Sequence, residues 1–133
     1  MRAEVVTQFS LVVPNKPGAI ALITGALREN SVNIHSVMLT DTLNQGVVRF
    51  VLGDPKKARK LFKQEGFFAV ESKVAEVSMS NKPGSLHEIA VALGEAGVNI
   101  DYAYGGDNPG AKSAKVTFKF SDLNKAMKVI EKL

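Results

Sequence analysis

The sequence predicts an α+β protein made of two copies of a βαββαβ unit, with antiparallel sheets carrying their helices on one face. Three observations lead there. Asn15-Lys16-Pro17-Gly18 returns 66 residues later as Asn81-Lys82-Pro83-Gly84. The same offset carries Val32-Asn33-Ile34 onto Val98-Asn99-Ile100, and Ile23, Ala26, Leu27 and Glu29 onto Ile89, Ala92, Leu93 and Glu95. Within each copy, apolar residues switch between helical spacing and strict alternation in the same order, as a duplicated supersecondary unit requires. The copies divide the chain into residues 1–72 and 73–133.

In the first copy, Phe9 to Val13 is apolar and partly β-branched, a strand signature. Pro17-Gly18 suits a helix opening, because proline at the first helical position gives up an amide that has no partner there. Ile20, Ile23 and Leu27 then repeat at helical spacing. Val32 to Leu39 and Val47 to Leu52 form a hairpin around Asp41 to Gly46, with Val48, Phe50 and Leu52 alternating onto one face. Asp54-Pro55 caps and opens the next helix. Phe67 to Glu71 supplies a fourth strand. It runs, without a turn signal, into Val74 to Met79, the first strand of the second copy.

The second copy repeats the plan. Leu86, Ile89 and Leu93 lie at helical spacing, and Gly97 is a left-handed stop. Gly105 to Gly110 forms a turn-rich loop that holds a two-residue insertion, since beyond it Asp54 faces Asp122 and Ala58 faces Ala126 at an offset of 68. Val116, Phe118 and Phe120 alternate with Lys115, Thr117 and Lys119, giving a sheet with one buried and one wetter face. Ser121 or Asp122 caps the last helix. The chain then ends at Leu133, so the second copy lacks its C-terminal strand and leaves a vacant sheet edge. The other half, the N-terminal segment or a second subunit is expected to fill it.

Composition narrows the function. With 133 residues, 45% hydrophobic and 23% charged, the chain suits a folded globular protein and falls far from the disordered extreme. The absence of cysteine removes disulfides, thiolate nucleophiles and thiolate metal sites, and fits a cytoplasmic protein. No stretch reaches the ~18 apolar residues of a membrane span, and the start lacks a signal peptide's apolar core. The net charge of +4 comes from scattered lysines, with one cluster from Lys56 to Lys63 on a predicted helix, so no nucleic-acid track is expected. His35 and His87 are too far apart, and too alone, for a zinc site. No nucleophile-base constellation or phosphate loop is present, so neither catalysis nor a cofactor is expected.

A βαββαβ unit opening with Asn-x-Pro-Gly-x-[Leu/Ile], followed by a helix and then Val-Asn-Ile, resembles the ACT domain. This is the amino-acid-sensing module attached to aspartate kinases and phosphoglycerate dehydrogenases. The likeness covers nearly the whole chain, twice. It implies two ferredoxin-like repeats and a ligand held between paired ACT units. The ligand would be gripped by the loop before the first helix of one unit and the second strand of its neighbour. The resemblance carries over to Asn15, Gly18, Ala19, Ile20 and Asn33 in the first copy, and to Asn81, Gly84, Ser85, Leu86 and Asn99 in the second.

The chemistry of these residues agrees. A helix N-terminus offers unpaired amides and partial positive charge to a carboxylate, and glycine at 18 or 84 removes a Cβ from its path. Asparagine both donates and accepts, so Asn15 with Asn33 suits a zwitterion. One departure matters: where serine-binding ACT domains carry a histidine two places before the loop asparagine, this chain has Val13 and Met79. An apolar or aromatic amino acid is therefore expected in place of serine, with Tyr102 and Tyr104 as either pocket lining or core. His35 beside one site and Asp101 beside the other make the two sites unequal. The expected function is a non-catalytic regulatory module that binds a free amino acid, forms a homodimer and signals to a partner metabolic enzyme. The alternative is a protein-interaction adaptor that keeps the fold without a ligand.

Overall fold

The computed structural model describes residues 1–133 and contains six strands and four helices. They follow the order β1 (Arg2–Pro14), α1 (Ala19–Glu29), β2 (Ile34–Thr42), β3 (Gln45–Leu52), α2 (Pro55–Gln64), β4 (Ala69–Ser80), α3 (Ser85–Glu95), β5 (Ile100–Gly106), β6 (Ser113–Phe120) and α4 (Leu123–Glu131). No helix is long and apolar enough to cross a membrane. Two compact units result, one of Thr7–Ser72 and the other of Met1–Val6 with Lys73–Leu133. We call them the first-repeat and second-repeat units.

In the first-repeat unit the strands lie in the order β2-β3-β1-β4. β3 runs antiparallel to both neighbours, pairing Phe9 with Phe50 on one side and Val37 with Phe50 on the other. Alternation sends Phe9, Leu11 and Val13 of β1 and Val48, Phe50 and Leu52 of β3 into one core. Ile23 and Leu27 of α1 and Ala58, Leu61 and Phe62 of α2 cover it. Phe9 and Phe62 meet edge to face at 5.4 Å, and each fully buried large apolar side chain contributes about 1.5–3 kcal/mol through removal from water. Arg59 of α2 forms a two-pronged ion pair with Glu71, with N–O distances of 2.8 and 2.6 Å, tying the start of β4 to this unit. That carboxylate holds the Arg59 guanidinium above its usual pKa, through the hydrogen bond first and charge second.

The second-repeat unit has the order β1-β4-β6-β5. Its core joins Ala75, Val77 and Met79 to Phe118 and Phe120 under Ile89, Leu93, Ala126 and Ile130. The N-terminal segment fills the vacancy anticipated after α4. β1 is 13 residues long, well beyond the Phe9 to Val13 of the sequence reading, and its first part belongs to this unit. Met1 and Ala3 pack against the second core. β4 is a single 12-residue strand, as the missing turn signal between Glu71 and Val74 implied.

Helix ends follow local chemistry. Asp54 and Asp122 are the N-caps of α2 and α4, each accepting from the amide three residues on at 3.1 Å, with Pro55 in the first turn. The reading of Pro17 as a first helical residue is corrected. Helix α1 starts at Ala19, Gly18 is its N-cap, and Pro17 stands one place outside. Gly97 follows α3 with φ 75°, while Ser31 adopts φ 55° at the matching place after α1. Both close with the next valine amide bonded back to a helix carbonyl at 2.9 Å. A left-handed conformation costs a non-glycine residue about 1–2 kcal/mol, partly offset by glycine's larger entropy loss on folding. Ser31→Gly is therefore expected to stabilise the protein by up to about 1 kcal/mol in chemical denaturation, and a loss of stability would contradict the strain argument.

Candidate functional site

The two Asn-Lys-Pro-Gly loops have the same backbone. Gly18 and Gly84, with φ of 86° and 96°, both cap their helices in the left-handed region. A Cβ added at either would meet nothing within 4 Å. The glycine is thus required by the turn itself, in addition to any room it leaves for a ligand. Gly18→Ala is expected to cost about 1–2 kcal/mol of stability from backbone strain alone, read by thermal unfolding. An unchanged midpoint would show that the turn tolerates a side chain.

In the first-repeat unit this loop borders a cleft of about 270 Å³. Asn15, Lys16, Ala19 and Ile20 form one wall, and Leu39, Thr40 and Asp41 of β2 form the other. At the ~30 Å³ that a water occupies in the liquid, the cleft has room for about nine non-hydrogen atoms, the size of a small or medium amino acid. The floor and walls contributed by Val13, Pro14, Ala19, Ile20 and Leu39 are apolar. The polar groups are of both signs: Lys16 is cationic, Asp41 anionic, and Asn15 both donates and accepts. The opening of α1 adds its first-turn amides. Ala19 N–H and Leu22 N–H make only long contacts of 3.3 Å to Lys16 and Gly18 carbonyls, and the helix dipole places partial positive charge there. The arrangement can hold a zwitterion with an apolar tail.

The Asn15 amide group is largely uncommitted, with one contact of 3.4 Å to the Leu43 carbonyl. Asp41 escaped the sequence reading because it lay inside the segment assigned to a loop. The structure extends β2 through it. The hairpin turn is only Leu43-Asn44, and Asp41 faces Gly46 in the ladder. Leu43, in that turn, takes φ 50° and leaves its apolar side chain 95% exposed.

Asn33 and Asn99 are not brought to their own loops. Each precedes the edge strand at the opposite end of the hairpin, about eight residues or ~26 Å from Asp41 in the case of Asn33. Both have structural partners there. The Asn33 carbonyl accepts from Gly53 N–H at 2.8 Å and the Asn99 carbonyl from Ser121 N–H at 3.0 Å. The Asn99 side chain donates to Asp101 at 3.0 Å. Tyr102 and Tyr104 are neither core nor cleft. A register shift between Ile100 and Tyr102 puts them opposite Lys119 and Thr117, on the face away from the helices. In the first-repeat unit, the residues of β1 and β3 that alternate away from the core are Gln8, Ser10, Val12, Val47, Arg49 and Val51, none of them aromatic and Gln8 and Val51 buried, so no ring is offered there on which a nucleic-acid base would stack.

The second-repeat unit treats its loop differently. Asn81 donates to Asp107 at 2.7 Å and to the Ala111 carbonyl at 2.9 Å. Ser85, buried, donates its hydroxyl to the Ser80 carbonyl at 2.7 Å. An opening of about 460 Å³ beside this loop is bordered by Ser80, Lys82, Ser85 and Glu88 with Met1 and Arg2. No residue of β5 borders it, and Leu86 is half exposed outside it.

Comparison with known proteins places this geometry in a family. The family model described as an ACT domain pair matches residues 4–132. Among solved structures, a protein from Bacteroides thetaiotaomicron superposes with a TM-score of 0.91 at 28% identity, covering 98% of this chain and 89% of that one. The regulatory subunit of aspartate kinase from Thermus thermophilus, in a ligand-free form, gives 0.70 at 14% identity over 99% and 97% of the two chains. The aspartokinase alpha and beta subunits give 0.68 at 19% identity over 99% and 96%. No curated protein matches the chain. A match that spans both repeats, on a fold whose two units each carry the Asn-Lys-Pro-Gly turn before a helix, shows that this chain belongs to the ACT domain pair family.

Proposed function

We propose that this protein is a non-catalytic regulatory module whose first-repeat unit binds a free α-amino acid with an apolar side chain. The observation that carries the reading is the cleft between the Asn15–Ile20 turn and the end of β2, with opposite charges at its rim and apolar walls within. The ligand carboxylate sits at the opening of α1, near Lys16 and the Asn15 amide, where donors and the helix dipole favour an anion. Its ammonium group pairs with Asp41. Leu39, Ile20 and Val13 receive the side chain, and the cleft volume favours aliphatic ligands of leucine size over the larger aromatic ones.

Assembly is part of the reading. β2 is the outermost strand of its unit, and an edge strand with exposed Val37 and Leu39 is a ready pairing surface. Pairing with a second copy forms a homodimer, and antiparallel pairing of the two β2 edges would bring the partner's Asn33 towards the cleft, from which it is remote within one chain. Ligand that touches both copies then biases how they pair, and a partner metabolic enzyme reads the change. The kinase regulatory subunits of the same fold support this output.

The test is a screen of the twenty amino acids by thermal shift and calorimetry, with sedimentation in the presence of each one that binds. Saturable binding of one or a few aliphatic amino acids, with a change in dimerisation, is expected. An adaptor that keeps the fold without a ligand would answer none of them and bind its partner equally in their absence. Silence in both assays would overturn the reading.

A further inference from the structure

We propose that Asp107 is a built-in latch that occupies the second-repeat loop and closes that unit to amino acids, leaving one working site per chain; this rests on the function proposed above. Asp107 is the counterpart of Asp41, 66 residues on. The ladders confirm the equivalence, since Gly106 faces Lys115 as Thr40 faces Val47. The loops match as well. Asn15 N–H donates to the Asn44 carbonyl at 3.1 Å, and Asn81 N–H to the Lys112 carbonyl at 3.0 Å.

The aspartates differ in what holds them. β2 continues through Thr42, so Asp41 is fixed in the ladder opposite Gly46, and no hydrogen bond joins it to Asn15. β5 ends at Gly106, and the longer connection to β6 releases Asp107 from the ladder. Once free, its carboxylate turns onto the Asn81 side-chain amide at 2.7 Å. The other amide hydrogen goes to the Ala111 carbonyl at 2.9 Å. Asn81 has only these two hydrogens, so its side chain has no donor left for an incoming carboxylate. Asp107 thus stands where a ligand's own carboxylate would bind, with the same charge, and repels a second anion. The two-residue insertion is the cause: it lengthens the loop enough to let a chain carboxylate replace a ligand one.

The experiment offers each of the twenty L-amino acids singly to isotope-labelled full-length protein. The backbone amide signals of residues 16, 18–20 and 82, 84–86 report the two loops separately. In the native sequence, amino acids that bind move the first set only. In Asp107→Ala the same amino acids also move the second set, with apparent affinity there raised roughly tenfold or more, the scale of one charge-assisted hydrogen bond. Asp107→Asn, which keeps an acceptor for the Asn81 amide, leaves the second set still. Native protein that responds at the second loop, or Asp107→Ala that stays silent there while the first loop responds, overturns the latch. Silence at both loops in every variant overturns the parent reading and the latch with it.

Discussion

A chain that begins at Thr7 is expected to lose on the order of 5 kcal/mol of stability, concentrated in residues 73–133. Arg2–Val6 forms the fourth strand of the second-repeat unit, and its removal leaves one long edge of β4 without ladder partners. Each backbone hydrogen bond lost contributes a net ~0.5–1.5 kcal/mol. Stripping Met1 and Ala3 from the core they pack against adds about 1–3 kcal/mol of lost burial. The total approaches the whole margin of a small folded unit. Hydrogen exchange is the measurement that separates the repeats: amides of β4, β6 and α4 should exchange far faster, while those of β3 and α1 change little. A melting curve and exchange pattern unchanged from the full chain would show that the first five strand residues do not complete the sheet.

This dependence also shows where the sequence is silent. Periodicity located both cores, because Phe9, Leu11, Val13, Val48, Phe50 and Leu52 alternate onto one face and must be buried together. It missed the first half of β1. Residues 2–6, Arg-Ala-Glu-Val-Val, hold only two adjacent apolar side chains, too short a run to mark a strand, and they are ordered by pairing, which leaves no imprint on composition. Caps were legible wherever a side chain makes the bond, as at Asp54 and Asp122. Pro17 was misplaced by two residues because a left-handed glycine stands between it and the helix, and proline alone does not reveal the φ of its neighbour. The candidate site proposed above was half legible. Asn15, Ala19 and Ile20 border the cleft and Gly18 shapes the turn. Asp41 was hidden, because Asp-Thr-Leu-Asn-Gln-Gly reads as loop chemistry although the strand persists to Thr42. The expected inequality of the two sites was argued from His35 and Asp101; the structural difference between the two loops lies instead at the strand end at Gly106 and in the contact Asp107 then makes with Asn81.

Binding at the first-repeat cleft should collapse when Asp41 is neutralised. A hydrogen-bonded contact to a charged group contributes about 1.5–3 kcal/mol, so Asp41→Asn is expected to weaken the favoured amino acid by roughly 10–150-fold. Asn15→Ala should weaken it less, because Lys16 and the first-turn amides still face the carboxylate. Neither change should lower stability by more than about half a kcal/mol, since both side chains are exposed and no core contact is lost. That separation matters: a folded variant that no longer binds identifies a ligand contact, whereas a weakened fold would only report damage. Ligand chemistry supplies a second check. An amino acid whose ammonium is acetylated should bind native protein and Asp41→Asn with equal weakness, because the partner for Asp41 is gone in the first case and Asp41's charge in the second. If Asp41→Asn binds as tightly as the native chain, the ammonium lies elsewhere and the orientation argued here, carboxylate to helix and ammonium to strand, is wrong.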